Sequence, residues 1–259
     1  MNYIKTKEYI VNWLTNYCDQ SGSAGFVIGI SGGIDSAVTS TLCALTKKKV
    51  VLVNMPIRQS EKEYNRSIEH INDLQNKFDS VSEFEVNLTS TFSDIESILP
   101  KSASANPLAM ANTRARLRMT TLYAIAQGEN CLVAGTGNKI EDFGIGFFTK
   151  YGDGGVDLSP IADLMKSQVY ALGKELGIVQ SIQQAAPTDG LWGDNRTDED
   201  QIGATYSELE WAMEFSGNAD DLTFRQKEVI ELYSRLNRIN QHKMIPIPVC
   251  IIPDEIKST

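Results

Sequence analysis

Cysteine pairs are missing from this sequence. Cys18, Cys43, Cys131 and Cys250 are far apart, no C-x-x-C occurs, and three of the four sit in apolar surroundings. Structural zinc and a disulfide framework are therefore not expected, and a reducing cytoplasm fits. Long apolar runs are missing too, and residues 1–10 carry Lys5, Lys7 and Glu8, so neither a membrane span nor a signal peptide is expected. There is no basic excess. Lys and Arg number 24 against 33 Asp and Glu, a net charge of -9. General binding to nucleic acid or an anionic membrane wants a basic face, so the expected partners are small molecules. No repeat or low-complexity tract is visible. Histidine is scarce, and nothing near His242 pairs it with Ser and Asp, so a hydrolase triad is unsupported. What is present is ordinary for a globular protein: 42% hydrophobic and 22% charged residues over 259 positions, enough for a sizeable α/β core.

One stretch organises the rest. An apolar run at 26–30 ends in Ser31-Gly32-Gly33-Ile34-Asp35-Ser36, and helix-forming residues follow. This reads as a strand, a tight glycine turn and a helix N-terminus. Such a turn offers backbone N–H groups to a phosphate, and the helix dipole favours an anion there. It lacks the Lys of the common ATPase P-loop, and its glycines do not make G-x-G-x-x-G. Asp35 would repel phosphates unless a cation intervened, so it reads as a magnesium ligand. The loop resembles that of the N-type ATP pyrophosphatases, a superfamily that splits ATP between its α- and β-phosphates.

Further along, periodicity predicts an amphipathic helix over 3–18, with Tyr17 on its core face, and a helix over 36–47. Strands are expected over 50–55, 81–88 and 131–134. Ser60 and Glu63 form a capping-box pattern opening a helix through 78, and helices are expected over 89–99 and 108–127, the latter stopping at Gly128. Residues 100–107 read as a loop. Arg58 and Gln59 follow a strand end, where open parallel sheets bind ligands. Arg114, Arg116 and Arg118 do not share one helical face, and periodicity alone reads them as a solvated, ion-paired helix. A second glycine-rich strand end, 135–142, offers Thr136 and Glu141. Residues 144–157 pack glycines, aromatics, Lys150, Asp153 and Asp157 into a long loop, and loops of that kind are usually functional. Lys166 stands at the start of a helix over 166–176, against the dipole, which suggests a bound phosphate as its partner. A helix over 178–186, a loop and lid over 187–196, a helical segment at 207–213 and a helix over 223–240 complete the chain, with His242 and Lys243 following the last helix.

Together these segments resemble the ammonia-dependent NAD synthetase family over most of the chain. Its motifs are Gly29-Ile30-Ser31-Gly32-Gly33-Ile34-Asp35-Ser36, the 112–119 arginine segment, Gly135-Thr136-Gly137-Asn138-Lys139-Ile140-Glu141, the 146–157 segment, Ala186-Pro187-Thr188 and His242-Lys243. The resemblance implies a three-layer α/β/α fold with an open parallel sheet, adenine nucleotide alpha hydrolase-like, with extra C-terminal helices, as a single domain over 1–259. It implies that deamido-NAD, ATP and ammonia give NAD, AMP and pyrophosphate through an acyl adenylate. It assigns Gly29 to Ser36 with Arg58, Thr136, Lys166 and Thr188 to ATP, and Asp35 and Glu141 to magnesium. Arg116, Lys150, Asp157, His242 and Lys243 fall to deamido-NAD, with Tyr17 as a possible aromatic neighbour. Asp153 falls to ammonium, and Lys166 is also counted among the catalytic groups. Between Glu141 and Lys150 this chain is one residue longer than typical members, which leaves Asp142 as the alternative metal ligand. The family also implies a homodimer, and the chain has no room for the amidohydrolase domain of glutamine-dependent relatives.

Two other readings compete. A GMP synthase-like or tRNA-thiolating ATP pyrophosphatase would share the loop, but the latter wants a basic surface and reactive cysteines. A non-catalytic nucleotide sensor would have no need to keep both Asp35 and Glu141.

Overall fold

The computed structural model describes residues 1–188 and 197–257. Four short apolar runs become β1 (Gly25–Gly29), β2 (Lys49–Asn54), β3 (Val81–Glu85) and β4 (Cys131–Val133). They pair in parallel in the order β3-β2-β1-β4. Side chains alternate across the sheet, so Phe26, Ile28, Val50 and Leu52 enter one core, while Val27, Val51 and Val53 enter the other. Helices α1 (Tyr3–Ser21), α2 (Ile34–Leu45) and α3 (Glu61–Lys77) cover the first face. The second is covered by α4 (Thr89–Ile98) and α6 (Pro107–Glu129), joined by the short α5 (Lys101–Ser104), with Phe92 and Met110 buried there. Next, α7 (Lys166–Glu175) and α8 (Gln180–Gln183) return to the first face. Then α9 (Asp198–Ile202), α10 (Tyr206–Glu214) and α11 (Phe224–Met244) close a third core around a π-helical turn, Ile140–Ile145. This is the three-layer α/β/α fold with extra C-terminal helices. Because β2 and β4 lie on opposite sides of β1, the strand order reverses there. A crevice at the carboxyl ends of β1 and β4 is the expected ligand site.

Local chemistry explains several boundaries that differ from the sequence expectations. The 108–127 helix runs through Gly128 and stops only at Asn130, whose left-handed φ of 54° lets its N–H close on Ala126 and Gln127 carbonyls. Residues 101–104, expected as loop, form α5 behind Pro100. The third strand ends at Glu85 rather than 88, and the 178–186 helix shrinks to α8. Helix α11 extends to Met244, so His242 and Lys243 are its last turn, where cations complement the dipole. Tyr17 is not a core residue: it is 39% exposed and tilts against Trp13 at 5.6 Å. Of the expected 187–196 loop and lid, residues 189–196 lie outside the described residues. Only half of the expected capping box forms: Ser60 Oγ accepts from the Glu63 N–H, while the Glu63 carboxylate takes the Ser60 hydroxyl in place of the Ser60 N–H.

One polar contact sits deep in the first core. His70 of α3 is fully buried, and its Nε2 lies 2.8 Å from Ser40 Oγ. Ser40 Oγ itself donates to the Ser36 carbonyl at 2.7 Å, so His70 donates from Nε2, and its Nδ1 has no hydrogen-bond partner. Burial lowers the imidazole to about 4, with Asp73 opposing and Lys77 adding to the shift. The unfolded chain takes up this proton near the ordinary value of about 6.5, so stability falls as pH drops from 6.5 towards 4. His70→Gln keeps the donor and removes the titration. Its urea-unfolding free energy should lose up to about 3 kcal/mol less than wild type between pH 7 and pH 4; parallel curves would refute the assignment.

Candidate active site

The site begins at the turn after β1. Gly32 has φ of 80°, and a Cβ there would lie 2.7 Å from the Glu63 carbonyl and 3.0 Å from Ser67 Oγ, so only glycine lets α3 press on the loop. Gly33 caps α2 in an extended conformation. Ser31 and Ser36 hydroxyls meet at 3.1 Å, Ser36 Oγ donates to the Gly33 carbonyl, and Gly33 N–H donates to Ser31 Oγ. The loop is thus shaped from within, with the first turn of α2 directly behind it.

Asp35, one residue into that turn, meets two partners from distant sequence. Lys166 Nζ donates to Asp35 Oδ2 at 2.7 Å and to Glu141 Oε1 at 2.9 Å. Asn138 Nδ2 donates to Asp35 Oδ1 at 3.1 Å, and Tyr206 Oη donates to Glu141 Oε1 at 2.6 Å. Lys166 is only 4% exposed. Burial pushes the Asp35 carboxyl above its ordinary value, against the pull of Lys166. At Glu141 the same burial is outweighed by Lys166 and the Tyr206 hydroxyl, so this group is the firmer anion. The two carboxylates hold Lys166 firmly protonated despite its burial, and Tyr206 is held protonated chiefly by burial. Where its position against the dipole suggested a bound phosphate, the structure shows Lys166 held by this carboxylate pair.

The π-helical turn settles which acid faces Lys166. Such a turn holds more residues than an α-helical one. Glu141 points to Lys166, whereas the Asp142 carboxylate lies over Gly137, where a Cβ would come within 2.1 Å of it. Burial, with Glu141 adding, raises Asp142 to about 8.

Asp35, Glu141, Asp142 and Lys166 line one cavity of about 250 Å³. The 29–36 loop, Thr136, Glu141, Asp153, Lys166 and Thr188 all reach it. Asp153 accepts a hydrogen bond from the Thr149 N–H at 2.9 Å, and burial raises it to about 6. Thr149 is anchored in turn by Asn112 of α6 at 2.6 Å. Gln59, Arg66 and Arg118 also line the cavity, with Arg118 Nε donating to the Met55 carbonyl at 3.2 Å.

Other expected site residues lie elsewhere. Arg58 pairs with Glu96 and Ser93, both at 2.8 Å, and sits over the Phe92 ring; it is not on the cavity wall. Arg116, Lys150, His242 and Lys243 form a separate chain of contacts. Arg116 Nε donates to the Lys150 carbonyl at 3.3 Å, and Lys150 Nζ donates to the His242 carbonyl. Lys243 Nζ donates to the carbonyls of Gly146 and Phe148 at 2.8 and 2.9 Å. Asp157 ties Tyr123 Oη and the Val133 N–H, at 3.0 and 2.8 Å. Sequence patterns did not point to Asn138 or Tyr206 as carboxylate partners. Asn138 stood inside the glycine-rich strand end, but nothing local marks Tyr206.

A family model described as NAD synthase matches residues 6–245. The chain belongs to the NAD synthase family. It is 37% identical over 248 residues to the NH(3)-dependent NAD(+) synthetase of Carboxydothermus hydrogenoformans, covering 94% of this chain and 96% of that one. It is 36% identical to the enzyme of the same description from Archaeoglobus fulgidus, covering 98% and 99%. Among solved structures, an NMN synthetase from Francisella tularensis superposes with a TM-score of 0.84 at 31% identity, over 98% of this chain and 99% of that one. The NH3-dependent NAD synthetase of Campylobacter jejuni gives 0.78 at 25% identity, over 97% and 100%. Ammonia-dependent synthesis of NAD, with ATP as co-substrate, is the family's reaction, and the chain is a ligase that forms a C–N bond. Its sheet and flanking layers are those of the adenine nucleotide alpha hydrolase-like fold.

Removing the Lys166 charge leaves two buried carboxylates facing each other. Lys166→Met should cost about 3–5 kcal/mol in urea unfolding. Asp35→Asn should cost less in that background than in wild type, because it then relieves repulsion. Additive losses would contradict a coupled triad.

Proposed function

We propose that this chain amidates deamido-NAD to NAD in two steps within the 29–36 and 136–188 cavity, with residues 1–259 acting as one unit. The observation that carries this reading is the Asp35–Lys166–Glu141 cluster beside the glycine loop. In the first step the nicotinate carboxylate oxygen attacks the α-phosphorus of ATP. The bond to the β-phosphate oxygen breaks and pyrophosphate leaves. In the second step ammonia attacks the acyl carbon, the bond to the adenylate oxygen breaks, and AMP leaves. Adenylation is needed because a carboxylate is a poor acylating agent.

The residues divide this work. The loop N–H groups and the Ser31 and Ser36 hydroxyls receive phosphate oxygens, and Thr136 and Thr188 line the same cavity. Asp35 and Glu141 fit a hard cation. They are carboxylates that converge on one positive group, and magnesium is commonly held by one or two carboxylates plus substrate phosphates. Phosphate oxygens of the substrate would complete the ligand set of such an ion. When bound there, the ion neutralises charge on the phosphates. Lys166 keeps the pair together and presents its charge to the α-phosphate. Asp153, raised to about 6, takes the proton from ammonium near neutral pH. Arg116, Lys150, Asp157, His242 and Lys243 would take up deamido-NAD, and Arg58 the adenylate portion.

A second reading, amidation of nicotinic acid mononucleotide, is favoured by the 0.84 superposition on an NMN synthetase. The assay separates the two. With ATP, magnesium and ammonium, deamido-NAD should give NAD, AMP and pyrophosphate in equal amounts. Faster turnover of the mononucleotide would favour the second reading, and pyrophosphate release independent of either would sink both. Asp35→Asn should lose at least about a hundredfold of turnover while still unfolding cooperatively.

A homodimer in the cytoplasm completes the reading. The free cysteines suit a reducing compartment, and no helix among the described residues is long and apolar enough to cross a membrane. Helix α6 exposes Leu108 at the end nearest Asn106, as an association surface would. Light scattering at micromolar protein should give twice the chain mass; a monomer would remove the assignment.

A further inference from the structure

Helix α3 reaches the phosphate loop through a residue that no motif marks. Arg66 Nε donates to the Gly32 carbonyl at 3.1 Å, and the residue lines the cavity. The backbone of α3 is packed against the same glycine, since a Cβ on Gly32 would meet the Glu63 carbonyl, Ser67 Oγ and Arg66 Cβ. The guanidinium is therefore fixed at the loop, and not merely near it. Arginine has five N–H donors in a planar fork, and one is used here. The remaining donors make no hydrogen bond or ion pair with the described residues. Glu63, also on the cavity wall, turns its carboxylate to Ser60 Oγ at 2.9 Å.

The other cations on this wall are differently engaged. Lys166 is held between two carboxylates, and Arg118 Nε is bound to the Met55 carbonyl. Among the described residues, Arg66 thus brings to this wall a guanidinium with open donors. We infer that Arg66 binds the terminal phosphates of ATP, and so the pyrophosphate product, through its terminal nitrogens while its Nε holds the loop carbonyl. The carboxylate–lysine cluster then serves the α-phosphate side and α3 the leaving-group side. A fork suits this task because two N–H groups meet two oxygens of one phosphate. Gln59 has a lesser part, its Nε2 lying 3.4 Å from the Ser31 carbonyl.

This inference rests on the proposed ATP chemistry, and its test reads binding of each product in place of turnover. Calorimetric titrations with inorganic pyrophosphate and with AMP, both with magnesium, are compared for wild type, Arg66→Ala and Arg66→Lys. Arg66→Ala should weaken pyrophosphate tenfold or more and leave AMP within twofold. Arg66→Lys should fall between wild type and Arg66→Ala for pyrophosphate, because lysine keeps charge but not the fork. The inference is overturned if pyrophosphate affinity is unchanged, or if AMP and pyrophosphate weaken together, as a merely misshapen loop would give. A wild-type protein that binds neither product overturns the ATP reading itself, and the inference with it.

Discussion

The ammonium of Lys166 between Asp35 and Glu141 is the contact on which the site depends. Two buried carboxylates without a cation would repel each other and lose their hydration with no return. The cluster also ties together three elements far apart in sequence: the start of α2 behind β1, the π-helical turn behind β4, and the first residue of α7. Lysine at a helix N-terminus opposes the dipole, and the carboxylates more than offset that. The account of charge is still uneven. Two carboxylates face one ammonium, and the balance is met by neutral donors, Asn138 on Asp35 and Tyr206 on Glu141. A site left formally negative inside the protein favours a further cation, which is why a phosphate-bound metal is compatible with it.

The sheet explains why these groups can meet. β1 has β2 on one side and β4 on the other, and each contributes its carboxyl end to the same rim. The parallel bridge between Ala134 and Leu158 extends β4's side of that rim and directs the chain back towards α7. Apolar alternation on both faces fixes the register, since a one-residue slip would send Phe26 and Ile28 to the opposite core. The geometry of the Lys166 cluster is therefore a consequence of strand packing. The loop residues need little freedom of their own.

Much of this was legible in the sequence because it is local. Strand, glycine turn and helix start are adjacent in the 26–36 stretch, and Ser60 and Glu63 are three residues apart. The pairing of Lys166 with Asp35 spans 131 positions, and periodicity has no access to it; the sequence showed only that Lys166 was misplaced for the dipole. Arg58 follows β2 as its sequence position suggests, but there it has a positive φ of 49°, pairs with Glu96 and lies over the Phe92 ring, contacts that no local pattern foretells. Its neighbour Gln59 faces the cavity instead. The π-helical turn was also invisible, since no residue type encodes it. It nevertheless decides between Glu141 and Asp142, because taking extra residues into one turn changes which side chain faces Lys166.

The basic residues outside the cavity raise a different physical question. Arg116, Lys150 and Lys243 all donate to main-chain carbonyls, and those bonds hold the 146–155 segment against α6 and α11. A cation used as a fastener is not lost to a ligand, but its remaining capacity depends on its chemistry. Lys243 has three donors and commits two of them to Gly146 and Phe148. Arg116 commits one of five and stays exposed. An anionic ligand arriving here would thus meet Arg116 at little cost and Lys243 only by competing with the contacts that shape the wall. Because Phe148 belongs to the cavity wall and lies 5.5 Å from the Lys243 ammonium, drawing Lys243 away would loosen that wall as well. Binding on the outer basic surface and the shape of the inner cavity are therefore linked through one side chain.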